Sequence, residues 1–494
     1  MILVVAAFIV IAVFLVKRGL QARKKASKLL LPYPPSPPTR FFWGNALEIP
    51  DPRFGVHLDI KLLEWAKEYG TVFSFTVPIV GRLIVCADPD LVKHVAVTKN
   101  FPKSFTYQVY TPIFGKRSIL VAEAADWFAK RRAFNPGFAP SFLRNMVSVI
   151  ATKIDRFTTC IEEDIDADRP VHMLHRSQTF TSDVIVQVAY GEDWGGSKSH
   201  PPRLWMTELT ELTSDVTNNP FVKYFGLKTA WRIRHLEKLL DKEFYRILDR
   251  RLVEATTPRS MSPNSAQEDI CSIAINQMKR PDGSLSDEDK ESVMHQLKTF
   301  YFAGHDTTAT LLSWAVWLLS QDEKALEKLR AELYEQNIWT NEETPSYDLL
   351  QKCPYLEAVL KEALRLYPPA ASARFTSDVS ETWGGYTIGG TVLYLSSYVM
   401  HRHPDLWDCP DDFVPERFID ASGSLAKKWN PWSRGPRDCL GKYFAMLEAK
   451  LALSSLVLKY NLACVDPTEE ICYKVTACPR DGALVKMSRR KKLQ

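Results

Sequence analysis

From Ser286 to Gln321 no proline interrupts the chain. A helix of about 35 residues spans roughly 50 Å, enough to cross a whole domain. Ser286, followed three residues later by Asp289, reads as its N-terminal cap. Apolar turns flank its middle, Phe300-Tyr301-Phe302-Ala303 on one side and Leu311 to Leu319 on the other. Between them stands Gly304-His305-Asp306-Thr307-Thr308. An acid in so apolar a setting is costly unless it has a partner or a role. Gly304 lets something approach the helix closely. Thr307 can hydrogen-bond back to the helix and loosen its ladder. Two readings stay open on these residues alone. One is a bent structural helix with Asp306 paired elsewhere, the other an acid and an alcohol placed for chemistry.

A second segment carries more chemistry, Pro431-Trp432-Ser433-Arg434-Gly435-Pro436-Arg437-Asp438-Cys439-Leu440-Gly441-Lys442. Cys439 stands just before a strongly helical stretch. There the macrodipole and free backbone N–H groups favour a thiolate, as does the charge of Arg437 two residues away. Gly435 and Gly441 allow the backbone to pass close to a flat ligand. Thiolate is the ligand that pushes electron density into haem iron. The bland alternative is a buried structural cysteine.

The N-terminus reads as a membrane anchor. Met1 to Val16 is unbroken apolar sequence, and Lys17, Arg18, Arg23, Lys24, Lys25 and Lys28 follow it. A secretory signal has the opposite order. Basic residues after the anchor stay on the cytoplasmic side, so the body faces the cytosol. Residues 1–20 are therefore the expected anchor and 21–38 a basic, proline-rich linker. Residues 39–494 are the expected catalytic domain. The net charge of +5 over 494 residues gives no basic face for nucleic acid. Nine cysteines, an odd number without a CxxC pair, suit a reducing compartment.

Along the body, Val72 to Val77 and Arg82 to Ala87 read as a hairpin, and Asp88 caps a short helix. Gly191 to Pro202 and Thr256 to Gln267 read as loops. Strand-like pieces return only near Tyr386 to Leu395. The fold class is mainly α with a minor β portion. His401 and His403 suggest a metal, but no cysteine or carboxylate set completes a zinc site, and that reading is rejected.

Trp432-x-x-Gly435-x-Arg437-x-Cys439-x-Gly441 resembles the haem-binding signature of the cytochrome P450 family, with Trp432 where Phe is usual. Ala303-Gly304-His305-Asp306-Thr307-Thr308 resembles the family's oxygen-activation motif. Glu362-Ala363-Leu364-Arg365 and Pro415-Glu416-Arg417-Phe418 resemble its ion-network segments, and Trp127-Phe128-Ala129-Lys130-Arg131 resembles its helix beside the haem. The five occur in the family's order. The resemblance implies the cytochrome P450 fold with an N-terminal anchor helix and haem b, its iron ligated by Cys439. It implies propionate donors at Trp127, Arg131, Arg374 and Arg437, and a structural network of Glu362, Arg365 and Arg417. Asp306 and Thr307 become the catalytic proton relay. The reaction implied is oxidation of an apolar small molecule by O2, in a pocket near Phe105–Val121, Tyr301–Thr308 and Ala370–Phe375.

Electrons would come from a membrane-bound NADPH reductase carrying FAD and FMN, docked on basic residues including Lys442, at the endoplasmic reticulum. The chain looks similar to fungal members that oxidise polyketide or terpenoid intermediates in secondary metabolism. The rival readings are a haem-thiolate isomerase or dehydratase acting on peroxides without O2, and a haem-binding protein without turnover.

Overall fold

The computed structural model describes residues 31–490, apart from 42, 50–57, 79, 196–199, 219–225, 257–267, 341–342, 420–422 and 474. The expected anchor, residues 1–20, lies outside the described residues, as does most of the expected loop Thr256–Gln267. Among the described residues no helix is long and apolar enough to cross a membrane.

The longer helices, in chain order, are α1 (Leu58–Tyr69), α2 (Ala124–Phe134), α3 (Pro140–Asp166), α4 (Met173–Tyr190), α5 (Pro201–Asn218), α6 (Leu227–Thr256) and α7 (Ile270–Met278). After them come α8 (Asp287–Leu319), α9 (Glu323–Glu335), α10 (Pro354–Leu366) and α11 (Lys442–Lys459). The strands of three residues or more are β1 (Val72–Val77), β2 (Gly81–Cys86), β3 (Ser372–Phe375), β4 (Val392–Leu395), β5 (Tyr460–Cys464), β6 (Ile471–Tyr473), β7 (Ala477–Pro479) and β8 (Leu484–Arg489).

The sequence places the long helix correctly. α8 runs for 33 residues, and Ser286 caps it by accepting the Asp289 N–H. Nearly every residue from Ser292 to Leu319 is buried, as a helix apolar on all sides requires. Its fullest partner is α4, with α6, α10 and α11 around the rest. Gly304 belongs to that packing. A Cβ there would stand 2.8 Å from Ile185 Cγ1 on α4, so what approaches the helix at this point is another helix.

The hairpin stands where the alternating runs put it, with Val72 opposite Cys86 and Val77 opposite Gly81. β2 continues parallel to β4, which pairs antiparallel with β3. Asp88 caps the next helix by accepting the Leu91 N–H at 2.7 Å.

One expectation needs correction. Strands do not return only near Tyr386–Leu395. A second sheet joins Val171–His172, β8 and β5, and β6 and β7 form a separate hairpin. These strands are two to six residues long, β5 and β8 are half exposed, and β5 follows α11 without a turn, so no periodicity marks them. The proline-rich segment is hydrogen-bonded to the body. Pro32 O accepts the Thr387 N–H at 2.7 Å, and Pro35 O accepts that of Ser74 at 2.7 Å. Prolines lack the donor but keep the carbonyl, so Pro32 and Pro35 can only accept, and they do so from Thr387 and from Ser74 on β1.

Candidate active site

Cys439 lies three residues before α11. Its N–H donates to Trp432 O at 2.9 Å and closes the loop. Its thiol is exposed to a water-sized sphere. Yet protein surrounds it closely enough that burial is the main influence on its titration and raises the pKa, against the pull of the Gly441 N–H, Arg131 and Lys442. A thiol that is both reachable and enclosed lines an internal cavity. The sequence argument expected Arg437 and the helix terminus to lower this pKa. The Gly441 N–H does pull that way, but Arg437 is spent on Glu123, and enclosure wins.

The loop is fixed by its neighbours. Gly435 has φ +77° and a Cβ there would meet Ala96 O at 2.3 Å, so the close approach is made by backbone. At Gly441 the nearest atom, Phe138 Cε1, is 3.9 Å from a Cβ, which leaves that position open. Behind the loop, Glu362 and Arg365 are fully buried and pair through both oxygens, at 2.7 and 2.8 Å. Arg417 Nε joins at 3.4 Å from Glu362 Oε1. Arg365 also donates to the carbonyls of His401 (2.9 Å), Pro410 (2.6 Å) and Asp412 (2.9 Å). His401 Nε2 accepts the Asn430 N–H at 2.7 Å, one residue before Pro431 opens the cysteine segment. His403 bonds Ala66 O at 3.2 Å and the Asp405 N–H. The predicted network is therefore assembled, and the two histidines belong to the framework.

The four predicted propionate donors divide. Arg374 is fully buried, donates to Phe101 O at 3.2 Å, and leaves Nε and Nη2 without partners. A buried cation with two open donors calls for an anion. Burial lowers the pKa of Arg374 and of Lys103 beside it. Arg437 is committed otherwise, to Ala122 O at 2.9 Å and to both oxygens of Glu123, with Trp127 4.8 Å under its guanidinium. Arg131 donates to Asp438 O at 2.7 Å and to Oδ1 at 2.9 Å. These two arginines stitch the cysteine loop to α2. Glu123 and Asp438, which the sequence did not single out, pair with Arg437 and Arg131.

A second opening lies at the middle of α8. Ala303 is exposed and Thr307, one turn on, is half exposed, although the helix around them is buried. Their shared face borders open space inside the protein. Thr307 Oγ1 donates to Ala303 O at 2.7 Å, the back-bond expected of it. Asp306, about 100° round the helix, faces away from that space. It is 9% exposed and holds Gln178 Nε2 at 2.9 Å on Oδ1 and the Thr476 hydroxyl on Oδ2. His305 is buried, bonds Tyr301 O at 2.9 Å and stacks on that ring at 4.9 Å. Burial lowers its pKa.

The three predicted pocket segments converge. Phe105 packs on Phe375 at 5.6 Å and Phe114 on Phe302 at 5.3 Å, giving the cavity an aromatic wall. A reachable thiol, a cationic corner of half-buried Lys103 and buried Arg374, and an exposed apolar turn of α8 are the donor set that haem needs for its central iron and peripheral carboxylates. Gln178, Thr476, Glu123 and Asp438 carried no signal in the sequence, because each acts on a partner chosen by the fold.

Comparison with known proteins agrees. The family model described as Cytochrome P450 matches residues 34–486. Cytochrome P450 4A24 of Sus scrofa is 26% identical over 450 residues, covering 88% of this chain and 86% of the relative. Cytochrome P450 709B1 of Arabidopsis thaliana is 27% identical over 461 residues, covering 86% and 85%. A cytokinin hydroxylase of Arabidopsis thaliana is 27% identical over 413 residues, covering 81% and 77%.

Proposed function

The chain belongs to the cytochrome P450 family, as a haem-thiolate monooxygenase that uses O2, an organic substrate and a redox partner, and from that premise we propose how its own residues serve the reaction. Cys439 holds the haem iron as thiolate, and Arg374 with Lys103 holds a propionate. Trp127, Arg131, Arg437, Gly435 and Gly441 fix the loop that presents the sulfur. Glu362, Arg365 and Arg417 fix that loop from behind. The substrate is an apolar small molecule, since the wall facing the cysteine is aromatic and aliphatic. The cytokinin hydroxylase among the relatives supports hydroxylation as the reaction type.

Bound haem supplies the activation of O2 and the oxidation of the substrate. What the chain adds is position and protons. Thr307 spends its own hydrogen on Ala303 O and so presents an acceptor oxygen to the cavity, where it holds a water. Asp306, behind it on the next residue, passes protons inward from outside the cavity. The aromatic wall keeps bulk water from the apolar substrate. Electrons come from an NADPH reductase carrying FAD and FMN. The apolar N-terminus with its basic flank anchors the enzyme in the endoplasmic reticulum membrane, the body in the cytosol.

The observation that carries this reading is the thiol of Cys439, reachable yet enclosed, in a chain whose otherwise buried α8 opens at Ala303 and Thr307. Cys439→Ser removes the absorption band that carbon monoxide gives a reduced haem-thiolate protein. Persistence of that band in the variant would reject Cys439 as the ligand.

A further inference from the structure

Asp306 reaches outside its own helix on both oxygens. Gln178, on α4, donates to Oδ1 at 2.9 Å. The Thr476 hydroxyl donates to Oδ2 across 170 residues of chain. Thr476 is 3% exposed and stands immediately before β7. Ala477 N donates to Pro369 O at 2.9 Å, so the same hairpin is tied to the segment that leads into Ala370 and the pocket wall. On the other flank, Thr181 Oγ1 contacts the carbonyls of Ser177 at 3.0 Å and His305 at 2.7 Å, fixing the helix backbone one residue before the acid.

A carboxyl on a flexible Cβ–Cγ bond has two broad orientations unless donors choose between them. Gln178 alone leaves Oδ2 unconstrained. The second donor comes from the hairpin, and a buried threonine hydroxyl spent on a single side chain far along the chain has no local role such as capping or back-bonding.

We propose that Thr476 is a positioning residue for Asp306, holding its carboxyl in the one orientation from which it hands protons to the Thr307 side. The proposal rests on Asp306 acting as the relay acid. Without the Thr476 hydroxyl, Oδ2 turns and protons arrive late. O2 that has received two electrons and two protons then leaves as hydrogen peroxide, where four of each would have given water.

The holoenzyme, supplied with electrons by an NADPH reductase carrying FAD and FMN, is assayed for hydrogen peroxide released per NADPH consumed without added substrate. Four forms are compared: wild type, Thr476→Val, Thr476→Ser and Asp306→Asn, together with the Thr476→Val/Asp306→Asn double variant. Thr476→Val is expected to raise the peroxide fraction severalfold and Thr476→Ser to restore it, because serine keeps the hydroxyl. In the Asp306→Asn background Thr476→Val adds nothing further. Melting temperature gives a readout independent of turnover: Thr476→Val lowers it by a few degrees in the wild type, and by much less once Asp306 is Asn. Imidazole binding to the ferric haem, read from its absorption shift, stays within twofold throughout.

Equal losses from Thr476→Val in both backgrounds would overturn the proposal, because the hydroxyl would then be serving the fold. So would a wild-type peroxide fraction in Thr476→Val while Asp306→Asn uncouples. If Asp306→Asn itself leaves the peroxide fraction unchanged, the relay reading fails and the positioning role falls with it.

Discussion

On the cysteine side of the cavity the chain is held by charge-assisted hydrogen bonds between distant segments. On the α8 side the exposed Ala303–Thr307 turn is carried by apolar packing and by a bond within the helix, while the long-range bonds of Asp306 lie behind it. From one buried guanidinium Arg365 holds Glu362 on its own helix and the backbone at His401 and at Pro410–Asp412. Thr307, by contrast, bonds four residues back along its own helix. The difference follows from what each side must do. A loop without regular structure has no ladder to hold a metal ligand still, so long-range donors must do it. A helix is already rigid, and its inner face must stay apolar to receive a substrate. Disturbing the first side should therefore cost fold and haem together. Disturbing the second should cost the outcome of the reaction and leave the fold standing.

The sharpest way to break that contrast is Arg365→Leu. Glu362 and Arg365 are both fully shielded from solvent, so removing one leaves an uncompensated buried charge. Such losses cost about 3–5 kcal/mol. The Arg365 carbonyl partners lose their donor at the same time. Unfolding by denaturant and the haem content of the purified protein read the result. A loss below about 1 kcal/mol, as for a surface ion pair, would mean that the network does not fix the loop.

Acid attacks the same side through His401. Burial, with Arg365 and Arg434 nearby, drops its pKa to about 3. In the unfolded chain it titrates near 6.5. Between these values the unfolded state holds a proton that the folded state refuses, so stability falls as pH falls from about 6.5 towards 3. At pH 4 this group alone costs about 3 kcal/mol. His401→Gln keeps an acceptor for the Asn430 N–H and removes the titration. Its stability should decline less than that of the wild type between pH 7 and 4. Parallel curves for the two proteins would show that the imidazole is not what acid attacks.

The α8 side is tested by Thr307→Ala. The hydroxyl is half exposed and bonded only within its helix, so its loss should change stability by less than about 1 kcal/mol. Haem content and the carbon-monoxide band should not move. Peroxide per NADPH should rise about tenfold, equivalent to roughly 1.4 kcal/mol between the competing paths. A large loss of stability with unchanged peroxide would invert the comparison and make Thr307 a structural residue.

How much of this was legible beforehand follows the same division. Cys439 could be read because the loop around it must carry Gly435, whose φ of +77° and 2.3 Å approach to Ala96 O tolerate no side chain. Glu362 and Arg365 could be read because their partnership is three residues long and lies on one helix face. α8 could be read because an apolar run without proline has few other uses. The reading of Gly304 gave a close approach without its partner, since periodicity names the face of a helix and not its neighbour. Glu123, Asp438, Gln178 and Thr476 were illegible for the same cause. Their partners stand between 128 and 314 residues away, and nothing local constrains them. The short C-terminal strands escaped because three residues of half-buried chain carry no measurable period.

Strain gives the last and smallest test of the contrast. Between Ser286 and Gln321 no residue of α8 departs from negative φ, whereas the cysteine side carries Ser433 at φ 60°, Gly435 at 77° and Ala124 at 48°. Ala124 opens α2, next to the Glu123 that holds Arg437. A Cβ in the left-handed region costs about 1–2 kcal/mol. Glycine would relieve that cost while giving the unfolded chain about 0.4–1 kcal/mol of extra freedom. The balance favours Ala124→Gly by about 0.5–1 kcal/mol, a rise in melting temperature of a degree or two at this chain length. Peroxide per NADPH should stay at the wild-type value, because the strain lies on the side that holds the sulfur and not on the side that moves protons. A lower melting temperature would show that the neighbouring bonds of Glu123 need the alanine's stiffness more than they suffer from its strain.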